Sequence, residues 1–203
     1  MRPLQEPHIP IYFGGSSDIA IDIAGRLADV YAFWGETLDQ ARETIARVRA
    51  SAASAGRDPA SIGFSLSVRP VLADTEEAAW ARADRIIARI RELRAGAVGS
   101  GGPKPESVGS KRLLEAAAGG RVRDKRLWTE VAAAVGAGAN TTALVGTPEQ
   151  VAEALADYHA LGVSTFLIGG FDPLDDAVAY GRDLLPASRA AVAVRRDPAA
   201  VAA

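Results

Sequence analysis

Gly14-Gly15-Ser16-Ser17 is a run whose residue types could do chemistry. It follows the apolar Ile11-Tyr12-Phe13 and precedes a periodic segment that opens at Asp18. A strand that delivers a turn without side chains to a helix N-terminus exposes backbone N–H groups. With serine hydroxyls beside them, such a turn favours an anion, most simply a phosphate. The same serines suit an ordinary helix cap, and both uses draw on the same orphan donors. A second constellation lies further along, where Ser65, Ser67 and Arg69 alternate with Phe64, Leu66 and Val68. Alternation puts the two sets on opposite faces of a strand. A polar face on an otherwise buried strand is expected where that strand opens onto a site. Arg69 could hold an anion there by charge and hydrogen bonding, or pair with a carboxylate across the core. It cannot act as a general base, because a guanidinium keeps its proton.

Other chemistries find less support. The chain has no cysteine, which removes disulfides, thiolate catalysis and cysteine metal sites. His8 and His159 have no partner at metal-ligand spacing, so no metal site is expected. Asp172, Asp175 and Asp176 read as first-turn acids favoured by a helix dipole. The basic cluster Arg121, Arg123, Lys125 and Arg126 reads as a solvated loop, or as one that closes over an anion. Gly136-Ala137-Gly138-Ala139-Asn140 lacks the third glycine and the preceding strand of a dinucleotide fingerprint. A net charge of −2 over 203 residues argues against a nucleic-acid partner. No apolar run approaches the ~20 residues that span a bilayer, and the opening Met1–Pro7 has no apolar signal segment. A cytoplasmic protein without membrane contact is the expectation.

The elements that must position these residues are strands followed by helices. Ile9 to Gly14, Val30 to Gly35, Phe64 to Ala73 and Val163 to Gly170 read as strands. The helix after the first carries Ile19, Ile23 and Leu27 on one stripe. Thr37 with Gln40, Asp74 with Glu77, and Thr147-Pro148-Glu149-Gln150 have the pattern of helix starts. With 48% hydrophobic residues, the chain can bury one core. The organisation expected is a single domain over 1–203, with a lead-in linker over 1–8, a mobile lid-like insertion over 95–126 and a flexible tail over 188–203. Four strand–helix units imply a parallel α/β arrangement. Either a doubly wound open sheet or part of a (β/α)₈ barrel accommodates them; a whole barrel needs about 250 residues.

Ile11-Tyr12-Phe13-Gly14-Gly15-Ser16-Ser17-Asp18, Asp29-Val30-Tyr31-Ala32-Phe33-Trp34-Gly35-Glu36 and Thr142-Ala143-Leu144-Val145-Gly146-Thr147-Pro148 resemble the luciferase-like FMN-dependent monooxygenases. Ser107-Val108-Gly109-Ser110 and Phe166-Leu167-Ile168-Gly169-Gly170-Phe171 fit the same pattern, and the alkanesulfonate monooxygenase branch is the one most resembled. The resemblance runs from about Ile9 to Leu185 and covers the C-terminal half of the family's (β/α)₈ TIM barrel. It implies that the first four strand–helix units are absent, as in a truncated gene product or a start codon set inside a longer frame. It further implies reduced FMN supplied by a separate NAD(P)H-dependent flavin reductase, O₂, and a small and possibly sulfonate-like organic substrate. Half a barrel leaves two sheet edges unpaired, so a homo-oligomer is expected, two halves completing a barrel.

On that resemblance Gly14, Gly15, Ser16 and Ser17 are the cofactor-binding candidates, at the FMN phosphate. Trp34 stands where the family places an aromatic near the active-site mouth, although a core tryptophan reads equally well. Ser67 and Arg69 stand where the alkanesulfonate enzymes carry an arginine and a histidine. The catalytic candidates are therefore Arg69, Trp34 and Ser67. Phe171, where that branch has a tyrosine, joins Arg69 as a substrate-binding candidate. These departures, with no arginine in the Gly136–Asn140 loop, put a sulfonate substrate in question. A non-catalytic flavin-binding relative or an inactive remnant is the alternative to an enzyme.

Overall fold

The computed structural model describes residues 4–6, 8–96 and 106–196. Three strand–helix units come first: β1 Tyr12–Gly14 and α1 Asp18–Leu27, β2 Val30–Trp34 and α2 Leu38–Ser54, β3 Gly63–Leu72 and α3 Glu76–Ala95. Next come α4 Val108–Ala118, β4 Val122–Arg123, β5 Leu127–Trp128, α5 Glu130–Val135 and β6 Ala143–Gly146. The chain then forms α6 Pro148–Leu161, β7 Thr165–Ile168, α7 Pro173–Ala179, a π turn at Tyr180–Leu184 and α8 Leu185–Arg196.

β1, β2 and β3 pair in parallel, and β7 lies parallel to the first half of β3, with Ser65 opposite Thr165. The run β1-β2-β3-β7 is half of a (β/α)₈ barrel, with parallel strands joined by helical crossovers. Ten residues make β3 long enough to serve two neighbours. Its second half, Arg69 to Leu72, pairs with β6, to which β5 and then β4 add antiparallel. The sheet thus forks between Val68 and Arg69, beside the polar residues of β3.

Tyr31 and Phe33 of β2 and Phe64 and Leu66 of β3 pack into one buried cluster with Ile21, Ile45, Val48 and Tyr158 from the helices. The alternate residues Ala32, Trp34, Ser67 and Arg69 take the other face, as the alternation predicts.

The helix termini follow local chemistry. Thr37 and Thr147 each accept from the N3 backbone N–H while Gln40 and Gln150 reach back to the cap, making two capping boxes. At α3 the cap is Thr75, one residue beyond Asp74. The stripe read in α1 takes another course. Ile19 is 74% exposed and Leu27 65% exposed, whereas Ile21, Ala24 and Gly25 are buried. The reason is close helix approach: a Cβ on Gly25 would lie 2.5 Å from Ser51 Cβ and 2.7 Å from Ala52 N of α2. The small face makes the contact and the large apolar face is left outside.

Of the insertion read over 95–126, Ala95 ends α3, residues 97–105 lie outside the described residues, and 106–126 hold α4, β4 and the turn that leads into β5. The tail read from 188 continues α8 to Arg196, and Ala187 and Ala191 pack against the cluster around Leu155 and Leu184. Among the described residues, no helix is long and apolar enough to cross a membrane.

Candidate functional site

The C-terminal ends of β1 and β2 and the middle of β3 meet at one rim, and a cavity of about 450 Å³ opens there. One wall is the turn Gly14, Gly15 and Ser16. Gly15 has φ +148°, and a Cβ on it would lie 2.8 Å from Ala20 Cβ, so only glycine fits between strand and helix. The Tyr31 hydroxyl donates to Gly15 O at 2.7 Å and anchors the turn from the core side. Burial pushes that phenol up to about 12, so it stays a donor.

Ser17 caps α1, its Oγ accepting from Ala20 N at 3.3 Å, and Ile21 N donates to Ser17 O. Among the described residues, the N–H groups of Ser16, Ser17, Asp18 and Ile19 meet no protein acceptor. The helix-cap reading therefore holds for Ser17, while donors for an anion remain beside it.

Trp34 and Ser67 line the same cavity, with Leu167 of β7 across from them. Ser67 Oγ and the Asn140 side-chain amide lie 2.9 Å apart. With the amide oxygen facing Oγ, the amide nitrogen also donates to Ser67 O at 3.1 Å. α4 closes over the rim. A Cβ on Gly109 would sit 3.2 Å from the Trp34 ring and 3.3 Å from Ser16 Oγ, so glycine lets the helix lie against both.

Glu36, 2% exposed, is the carboxylate at this cavity. Arg112 of α4 donates to it through Nε at 3.0 Å and Nη2 at 2.9 Å, and Nη1 reaches Glu43 at 3.0 Å. Burial pushes the Glu36 carboxyl above the usual range, and Arg112 opposes that shift. The pair fastens α4 over the cavity. Glu36, Ser107 and Gly109 fall inside the family-like motifs, but nothing in the sequence alone gives them a role. The signal available for Glu36 was a carboxylate directly after an apolar strand, where solvent would be the default.

Arg69 and Phe171 come together elsewhere on the rim. The Arg69 guanidinium lies over the Phe171 ring at 5.4 Å, with Nε donating to Asn140 O at 3.0 Å and Nη1 to Gly170 O at 2.8 Å. Phe171 lines a second, open cavity with Arg82, Arg85 and Arg89. The candidates thus fall into two groups, Gly14, Gly15, Ser16, Trp34 and Ser67 at one cavity and Arg69 with Phe171 beside another. Asn140, touching both Ser67 and Arg69, joins them.

The remaining polar clusters have partners within the fold. Asp172 and Asp176 hold Arg82 at 2.9 and 2.7 Å. Arg121 pairs with Asp84 and Glu130, Lys125 with Glu153 and Asp157, and Arg126 with Glu76. His159 Nδ1 lies 2.9 Å from Val163 O at the end of α6.

Comparison with known proteins matches residues 1–165 to the family described as luciferase-like monooxygenase. Among solved structures, a riboflavin lyase with modified FMN and riboflavin is 21% identical, with a TM-score of 0.65 over 88% of this chain and 42% of its own. An EDTA monooxygenase from Chelativorans sp. BNC1 is 19% identical, with a TM-score of 0.63 over 93% of this chain and 48% of its own. A coenzyme F420-dependent tetrahydromethanopterin reductase from Methanopyrus kandleri is 18% identical, with a TM-score of 0.53 over 88% and 50%. At these identities the likeness is one of fold, and the chain spans half or less of each of these structures.

Proposed function

The chain belongs to the luciferase-like monooxygenase family, and on that footing we propose that it is a flavin-dependent monooxygenase half-barrel that takes reduced FMN and O₂ to oxygenate a small organic substrate. The observation that carries this reading is the single cavity shared by the glycine–serine turn, Trp34 and Ser67. The residues fit the group: the unengaged N–H donors from Ser16 to Ile19 and the Ser16 hydroxyl suit a phosphate, and the Trp34 ring beyond them suits an aromatic plane. Reduced FMN, when bound, supplies the electrons with which one atom of O₂ enters a substrate and the other leaves as water.

The roles of the chain's own residues follow. Gly14 and Gly15 keep the turn free of side chains, and Ser16 and Ser17 hold the phosphate. Trp34 and Ser67 are the groups placed beside the reacting atoms, with Ser67 held by Asn140. Arg69, fixed between the carbonyls of Asn140 and Gly170, stands with Phe171 beside the neighbouring cavity, where its cation and the apolar ring would take the anionic end of a substrate, sulfonate-like ones included, that reaches past Asn140. Glu36 and Arg112 seat α4 across the cavity and limit water. A separate NAD(P)H-dependent reductase supplies the reduced flavin in this reading.

Titrating the chain with reduced FMN, FMN and riboflavin tests the proposal. Ser16→Ala is expected to weaken FMN about tenfold, the worth of one hydrogen bond to a charged group, while riboflavin binding stays unchanged. Equal losses for both ligands, or no flavin binding by the native chain, would sink the assignment. Substrate-dependent O₂ uptake with a coupled reductase separates an oxygenase from a chain that only holds flavin.

A further inference from the structure

We infer that two copies of this chain join edge to edge into one eight-stranded parallel barrel, with β7 of each copy seated beside β1 of the other. Three features of the half-barrel lead there, and none depends on what the cavity binds. In the run β1-β2-β3-β7, β1 pairs with β2 alone and β7 with β3 alone among the described residues. Each end of the run therefore presents one unpaired strand edge, an arrangement that folds normally cover or close.

The helices beside these two edges both expose apolar faces. At the β1 end, α1 presents Ile19, Ile23 and Leu27; at the β7 end, α7 presents Leu174, 77% exposed, and Val178. A twofold axis along the barrel axis brings the two unlike ends together twice. It pairs both strand edges and covers both helix faces in one closed, symmetric contact. A second copy does this without leaving any edge free, and four strands from each copy reach the number at which such a barrel closes.

The register follows from the strand pairing. Gly14, Ala32, Ser65 and Thr165 form one row across the sheet, which starts at the last residue of β1 and ends at the first of β7. The row falls toward the N-terminal ends as it crosses the half-barrel. Closing an eight-stranded barrel takes a shear of about 8, hence about four residues per half. That offset sets Leu167 beside the partner's Tyr12. Both residues are apolar, both sit at the same alternation phase as the cavity-facing row, and they are 65% and 58% exposed. Leu167 also lines the cavity, so the partner subunit's Tyr12 would complete the wall of each site.

Light scattering on the native chain is expected to read twice its 21.1 kDa. The chain has no cysteine, so Tyr12→Cys and Leu167→Cys report the contact directly. Neighbouring strands lie ~4.8 Å apart, within disulfide reach. A mixture of the two singly substituted chains should form a covalent pair under mild oxidation, and neither variant should do so alone. Ile23→Glu, on the exposed face of α1, should weaken association by roughly tenfold or more. A monomeric native chain overturns the inference, as does a monomer that pairs only with a polypeptide carrying the other half of a barrel. So does a dimer in which either cysteine variant cross-links to itself as readily as in the mixture.

Discussion

Glu36 and Arg112 connect the cavity to the helix above it, and their balance makes a sharp prediction at the level of single residues. Arg112→Ala leaves the carboxylate buried without its cation while keeping the fold otherwise intact. Removing one partner of a buried pair costs about 3–5 kcal/mol, so a loss near the lower figure is expected in urea titration at neutral pH. The loss should shrink in acid, because protonating Glu36 removes the stranded charge. Glu76 shows the opposite case. Arg126, Gln150 and Trp80 donate to it and hold its carboxyl down at about 2. Its folded pKa lies below the unfolded 4.5, so its contribution is present above 4.5 and lost as pH falls toward 2. Urea midpoints measured across that window should fall for the native chain, and Glu76→Gln should flatten this part of the decline.

α1 and α2 show how an element's contact is chosen by backbone approach. The larger apolar residues of α1 are outside, and Gly25 lies against Ser51 and Ala52. Gly25→Ala removes a helix-weakening glycine, yet its methyl would collide with the α2 backbone. The collision wins, because overpacking costs about 1–3 kcal/mol and the propensity gain is at most about 1 kcal/mol. A thermal melt should show the variant destabilised, and an upward shift would contradict this packing. The caps at Thr37 and Thr147 were legible because a capping box is local, complete within four residues. The neighbour of a helix is not local, so the apolar stripe of α1 does not reveal which of its faces is buried.

At the scale of the whole molecule, the half-barrel leaves the ends of one sheet and two helix faces open. On the proposed pairing of two copies, folding is linked to association, so the melting temperature should rise with protein concentration. A melting temperature constant over a hundredfold dilution would separate the fold's stability from assembly. Flavin should add its own increment through mass action, largest where the ligand is saturating.

Sequence by itself determined the four strand–helix units of the half-barrel, the polar face of β3, the glycine–serine turn and the two capping boxes, but not the short strands β4, β5 and β6. Each is written in near neighbours, through alternation, periodicity or a four-residue motif. The tertiary structure alone decided which faces meet. It made β3 fork between β6 and β7, brought Arg112 from seventy-six residues away onto Glu36, and set Arg69 beside Phe171 while Trp34 and Ser67 shared the other cavity. Those outcomes depend on which distant backbones can approach, and no local pattern carries that information.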